Sequence, residues 1–281
     1  MEVRLLTGRS VRDENQSMIR PILAFATFLM LASCASTPSI SPTLRAQMAP
    51  TGVLRAAVNF GNVSIAQKDS AGGDPRGVGP DIARDLARRL GVPIRYVTYD
   101  TAGKVADVAQ QDAWDVAFLA VDPDREKTIA FSAPYVEIGG TYVVRKDSAL
   151  RKVADFDRAG TRIAVAKGSG YDLFLTRTLR NAELVRAATS PAAVELFVAQ
   201  KLDAAAGIRE LLTQSAHRDA SLRVIEDNYM TIGQAVGVPR GRDAAALYVR
   251  DVVEALKASG FVAAALKRSG SEDASVAPPA R

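Results

Sequence analysis

Few residues in this chain are equipped for covalent chemistry. Its 281 residues include one Cys and one His, which excludes a disulfide framework and a Cys/His zinc site. A Ser–His or Cys–His nucleophile pair would have to pass through His217, which stands in a polar stretch with no evident partner. Groups suited to binding are more plentiful. Gly168-Ser169-Gly170 can present backbone N–H groups and one hydroxyl to an anion, or form a plain turn before a helix. Lys167 stands where a nucleophile elbow needs Gly, so an activated serine is not expected. Asn59, Phe60 and Asn62 follow the first β-rich run, where open α/β sheets gather ligand contacts; turn or core roles fit the same residues. Lys104 opens a helical pattern and faces either a cleft or solvent. Glu137 is placed to meet a cationic group or to serve structure alone, and Trp114, before a strand, reads as a packing aromatic.

These side chains need a scaffold, and the periodicity supplies one. Apolar residues make up 48% and charged residues 24%, as in a globular protein with a real core. From Val53 onward, short β-rich runs alternate with helical patterns, which predicts an α/β fold. Val53–Val58 reads as strand. Gly79-Pro80-Asp81 opens a helix on which Ile82, Leu86 and Leu90 share a face, and Gly91 stops it. Ile94–Val97 is then strand, Lys104–Gln111 helix, and Val116–Val121 a buried parallel strand.

This strand–turn–helix–strand order recurs. Ile94-Arg-Tyr-Val, a Thr-containing turn, a helix and Trp114-Asp115 match Leu184-Val-Arg-Ala, Thr189-Ser190-Pro191, a helix and Leu202-Asp203. Two similar α/β lobes follow. The extended stretches Gly139–Lys146 and Met230–Val238 would cross between them as a hinge beside a cleft, and helices Asp243–Ser259 and Phe261–Lys267 close the chain. The expected division is 52–140 with 231–269 as lobe 1, 141–230 as lobe 2, and 270–281 as a disordered tail.

The net charge is +5, yet basic and acidic residues interleave. Arg84, Asp85, Arg88 and Arg89 read as a solvated helix face, so no nucleic-acid partner is expected, nor any cofactor. The N-terminus is an address. Arg20, the apolar run Pro21–Leu31 and the small residues after it describe a secretory signal, too short for the roughly 20 residues that span a bilayer. Leu31-Ala32-Ser33-Cys34 resembles the lipobox of bacterial lipoproteins, whose Cys is lipidated and becomes the first mature residue. Met18 is then a better start than Met1, and 35–51, rich in Ser, Thr, Pro and Ala, reads as a flexible tether. The expectation is a monomer on the periplasmic side of the cell envelope, held to the membrane by lipid.

Four stretches resemble one family, the bacterial extracellular solute-binding proteins of family 3. Gly77-Val-Gly-Pro-Asp81 through Gly91 is similar to its first helix. Trp114-Asp115-Val-Ala-Phe with Asp122 through Tyr135 looks like its most recognisable stretch, and Ala166-Lys-Gly-Ser169-Gly170-Tyr171 like its second-lobe ligand loop. Lys201-Leu-Asp203-Ala-Ala resembles its second-lobe strand. The likeness, over about Gly52 to Gly270, implies a two-lobed, type II periplasmic binding protein fold and a partner permease of an ABC importer, without catalysis. It also implies that Arg125, six residues before Phe131, clamps a ligand carboxylate.

Two departures matter. The hydroxyl residues usual between strand and Arg are replaced by Phe118, Leu119, Ala120 and Val121. Ile208 stands where amino-acid binders carry an Asp for the ammonium, and a buried ammonium without such a partner is unfavourable. The expected ligand is a small polar solute bearing a carboxylate, amino acid-like or an organic acid. The alternatives are an enzyme resembling cyclohexadienyl dehydratases, whose catalytic Glu would fall on Leu211 beside Glu210, and a stand-alone envelope-binding lipoprotein.

Overall fold

The described chain begins with a helix. The computed structural model describes residues 40–280, so the signal segment, the start at Met18 and Cys34 lie outside the described residues. In α1 (Pro42–Met48) the Ser41 hydroxyl accepts from the Leu44 N–H at 3.1 Å, and Pro42 occupies the first turn. Met48 is fully buried. The Ser and Pro content that suggested a tether over 35–51 thus holds helix-start signals, and from Pro42 onward the tether reading is corrected.

Both lobes follow one rule: a strand buried on two faces needs helices to cover it. β1 (Leu54–Asn59) is buried throughout, and α2 (Val78–Leu90) packs Ile82, Leu86 and Leu90 into the core. Gly91 ends that helix in the left-handed conformation, φ 64°. β2 (Ile94–Tyr99), α3 (Ala102–Asp107) and β3 (Val116–Ala120) follow, with β2 and β3 parallel to β1 on either side. The helix expected over Lys104–Gln111 lies further toward the N-terminus, because the Thr101 hydroxyl caps it at the Lys104 N–H, 3.3 Å. Trp114 is a packing residue, fully buried and donating from Nε1 to the Val105 carbonyl at 3.0 Å. On the exposed side of α2, Arg88 and Arg89 pair with Asp85 and Arg84 with Asp81, as a solvated face does.

β4 (Ile129–Phe131) leads to β5 (Val136–Arg145), which crosses to the second lobe. There β6 (Arg162–Ala166), α4 (Gly170–Thr178), β7 (Glu183–Ala187), α5 (Ser190–Ala199), β8 (Ala204–Ile208), α6 (Arg209–Arg218) and β9 (Leu222–Val224) follow in turn. β10 (Met230–Pro239) returns, and α7 (Asp243–Ala258) and α8 (Phe261–Ser269) pack on the first lobe. The strand order β2-β1-β3-β10-β5-β8-β6-β7 runs through both crossing strands. Read from either end, each lobe presents the same three parallel strands and then an antiparallel one. The β2–α3–β3 and β7–α5–β8 units are the two copies of the sequence repeat. β5 changes partner at Gly140, pairing with β10 before it and β8 after it.

The tail is ordered, contrary to the expectation for 270–281. β11 (Ala274–Val276) pairs antiparallel with β5, Ser275 opposite Glu137, and Ala277 is buried. Lys257 Nζ donates to the Pro278 carbonyl at 2.7 Å. Three residues show no periodicity, and their order comes from a strand far away in sequence.

Candidate functional site

The C-terminal ends of β1 and β3 face those of β6 and β8 across the cleft, the edge where open α/β sheets collect ligands. Between them lies a cavity of about 30 Å³, room for about two or three waters. Of the residues expected at the site, Arg125, Asn59, Asn62, Ser169, Gly170 and Tyr171 line it.

Arg125 sits in the helical turn Arg125–Lys127 after β3 and is only 3% exposed. Its guanidinium donates to the Ala120 carbonyl and, across the cleft, to the Gly168 carbonyl, both at 2.9 Å. Nε is buried without a partner. Among the described residues no carboxylate forms an ion pair with it. Burial therefore lowers its pKa to about 10, a loss that Asp122 and Asp107 offset in part at longer range.

The other lining residues hold the cleft's shape. Asn59 Oδ1 accepts from the Gly61 N–H at 3.0 Å, fixing the turn after β1. Ser169 caps α4 by accepting from the Asp172 N–H at 3.0 Å. Tyr171 donates to Ser190 Oγ, which donates across the cleft to the Gly61 carbonyl, each at 3.0 Å. Asn62 is 8% exposed, and its Oδ1 has no donor. Gly168 (φ 70°) lies so close to the facing helix that a Cβ on Gly103 would stand 3.3 Å from its Cα.

Three expected residues lie elsewhere. Phe60 lines an outer groove with Lys68 Nζ 5.3 Å from its ring centroid. Lys104 is exposed at the cleft mouth and pairs with Asp100 at 3.1 Å. Glu137 is half-buried on β5, opposite Ser275 of β11. His217 is exposed in the last turn of α6.

Sequence reasoning missed Thr101, Ser190, Gln234 and Ile232, which also line the cavity. The repeat held a signal for Thr101, which caps α3 as Thr189 caps α5. It also missed the links that hold the lobes together. Ser64 Oγ donates to Glu210 Oε2 at 2.5 Å, and Arg177 pairs with Asp122 at 2.6 Å. Glu210 is buried, which raises its carboxyl above the usual range despite the Ser64 hydrogen bond. It does not line the cavity, and neighbouring Leu211 packs into the core.

The family model for bacterial extracellular solute-binding proteins, family 3, matches residues 55–271. A membrane-bound lytic murein transglycosylase F of Ectopseudomonas mendocina is 29% identical over 153 residues, 53% of this chain. The chain spans only 30% of that relative's length. A glutamine-binding protein of Geobacillus stearothermophilus is 23% identical over 191 residues, 66% of this chain and 72% of the relative. Among solved structures, an amino acid ABC transporter substrate-binding protein from Streptococcus pneumoniae, bound to L-arginine, has a TM-score of 0.70 at 22% identity. That match covers 84% of this chain and 100% of the other, and shows a shared two-lobed fold.

Proposed function

Because the chain belongs to the bacterial extracellular solute-binding proteins of family 3, we propose that it is the receptor of an ABC importer. It captures a small carboxylate-bearing solute by closing two lobes around it, and the closed form engages a permease. Lipid on Cys34 would hold it at the membrane, and replacing that residue with Ser should abolish fatty-acid labelling. The single observation that carries the ligand class is Arg125, a guanidinium 3% exposed whose Nε has no acceptor. A buried cation without an anion is unfavourable, and a carboxylate bound there relieves the penalty through a charge-assisted hydrogen bond. The name of the Geobacillus relative, a glutamine-binding protein, supports a small polar solute of this kind.

The test is a thermal-shift screen of amino acids, organic acids, amines and sugars. A ligand at 100 times its Kd stabilises by about 2.7 kcal/mol. Carboxylates should give the shifts. Stabilisation by sugars or amines alone would overturn the reading.

A second reading, a dehydratase on the same scaffold, draws on the buried carboxyl of Glu210. That carboxyl is engaged by Ser64 and lies outside the cavity lining, which favours a structural role. Turnover of prephenate or arogenate would support the enzyme instead.

A further inference from the structure

β5 passes between the lobes at Gly139 and Gly140, and the C-terminal tail lies beside them. β10 runs along one edge of β5 from Val136 to Gly140. The other edge is shared. β11 takes Val136–Ile138 from the first lobe, and β8 takes Gly140–Val143 from the second. Ala274, opposite Ile138, and Ile208, opposite Gly140, therefore stand end to end, with Gly139 between the two ladders. The returning chain presses on the same spot. A Cβ on Gly139 would stand 2.6 Å from Asn228 Nδ2, and one on Gly140 2.9 Å from Met230 Cγ. A strand held on both edges resists bending, so motion concentrates where the ladder on one edge is interrupted.

The same tail reaches a contact that joins the lobes. Ser271 is 3% exposed, and its Oγ donates to the Ser64 carbonyl at 3.1 Å. The Ser64 hydroxyl in turn donates to Glu210, two residues past the end of β8. Gln67 ties the loop after β1 to the tail by donating from Nε2 to the Ser269 carbonyl at 3.1 Å. Burial raises the Glu210 pKa most, and Asp273 and Glu272 of the tail add to it, so the tail's charges reach this contact too. Beyond β11 the tail is fastened to the first lobe. The Ala277 N–H donates to the Tyr135 carbonyl at 3.1 Å, and Lys257 Nζ donates to the Pro134 and Pro278 carbonyls at 3.1 and 2.7 Å.

We propose that residues 271–278 are a strap that sets the closure of the lobes, with β11 stiffening β5 up to the glycines and Ser271 positioning the Ser64 hydroxyl for Glu210. This rests on the reading that the lobes close around a solute, and it deepens that reading by naming what holds the hinge. Ser271 does not line the cavity. It is a positioning residue, acting through Ser64. Without its hydrogen bond the loop after β1 relaxes, and Glu210 meets its donor less often.

The experiment measures the distance between spin labels on Val198→Cys of α5 and Leu247→Cys of α7, both exposed positions, one on each lobe. The full chain also carries Cys34→Ser, so that only the two introduced thiols are labelled. This parent is compared with Ser64→Ala, Ser271→Ala and a chain ending at Gly270. Ser64→Ala should move the balance toward the open form by about fivefold, the worth of one buried hydrogen bond. Ser271→Ala should move it the same way by about two- to fivefold, and should add nothing in the double variant, because both act on one bond. The chain ending at Gly270 should also broaden the distance distribution and speed amide exchange at 136–138, with exchange in β6 and β8 unchanged.

If Ser64→Ala shifts the balance while Ser271→Ala and the shortened chain keep the parent's distribution, the strap is overturned and closure stands. Shifts that add in full in the double variant overturn the positioning role of Ser271. One distance common to all four proteins overturns closure itself and the strap with it. Where the shortened chain does not fold, Ser271→Ala decides alone, since it removes one hydroxyl and leaves β11 in place.

Discussion

Among the described residues, two arginines of the first lobe are buried, at opposite edges of its sheet, and they differ in company. Arg55, in β1, donates to Asp115 through its backbone N–H at 2.9 Å, Nε at 3.0 Å and a terminal nitrogen at 2.8 Å. It also reaches Asp112 at 2.6 Å, and Arg242 joins the same two carboxylates at 2.8 and 3.0 Å. These carboxylates hold the Arg55 pKa above its ordinary value, with Asp115 contributing most. Arg125, past the end of β3, meets only carbonyls, and burial lowers its pKa. One cation folds together with its counter-charges, and the other folds without them. The first arrangement satisfies a buried charge inside the chain; the second leaves Arg125 Nε without an acceptor, as the proposed carboxylate clamp requires.

The sharpest break of this comparison is Asp115→Ala. It would leave Arg55 and Arg242 sharing only the exposed Asp112, with a loss approaching that expected when one partner of a buried pair is removed, about 3–5 kcal/mol. Urea unfolding measures it. By the same comparison Arg125→Lys should cost less ligand-free stability than Asp115→Ala, because the charge stays and only the hydrogen bonds to the Ala120 and Gly168 carbonyls are disturbed. A large loss there would make Arg125 a structural residue like Arg55.

A smaller effect is expected from Gly103→Val, which sets a branched side chain against the backbone at Gly168 where the lobes meet. Ligand binding should weaken by about 1–3 kcal/mol, the usual penalty of overpacking. Solution scattering should show a more open particle. Unchanged affinity would mean that this contact does not set closure.

The smallest effect concerns pH. Glu210 meets Ser64 across the cleft, and burial, together with Asp273 and Glu272, raises its carboxyl pKa. A pKa raised in the closed form means that closure takes up a proton. The contribution is full below the ordinary Glu value of about 4.3 and fades as pH rises through the raised one. The closed fraction in scattering should grow as pH falls through the raised Glu210 pKa, and Glu210→Gln should flatten that dependence. An identical pH profile in the variant would remove Glu210 from closure.

Local and repeated features were legible in the sequence. The α2 stripe of Ile82, Leu86 and Leu90, the paired βαβ units and the two crossing strands all follow from short-range pattern. The edge of the sheet that carries the cleft follows from strand direction, which is why Arg125, Asn59, Asn62 and the Ser169 loop fall on the cavity lining. The failures have physical causes. Phe60 and Lys104 occupy the same turns as true lining residues but point to outer grooves, and no spacing rule separates the sides of a turn. The Ser64–Glu210 hydrogen bond joins residues 146 positions apart, and β11 is three residues whose pairing exists only in the folded sheet. Ser41 and Pro42 carry the start signal of α1, and the Ser-, Thr-, Pro- and Ala-rich composition around them masks it.

The most direct test of the account is calorimetry on wild type and Arg125→Lys with a carboxylate that gives a thermal shift. Lysine keeps the charge but loses the planar fork and the Nε donor. Affinity should fall by about 1.5–3 kcal/mol, the range for a charged hydrogen bond. Equal affinity in the two proteins would contradict the claim that Arg125 is held unpaired for the ligand.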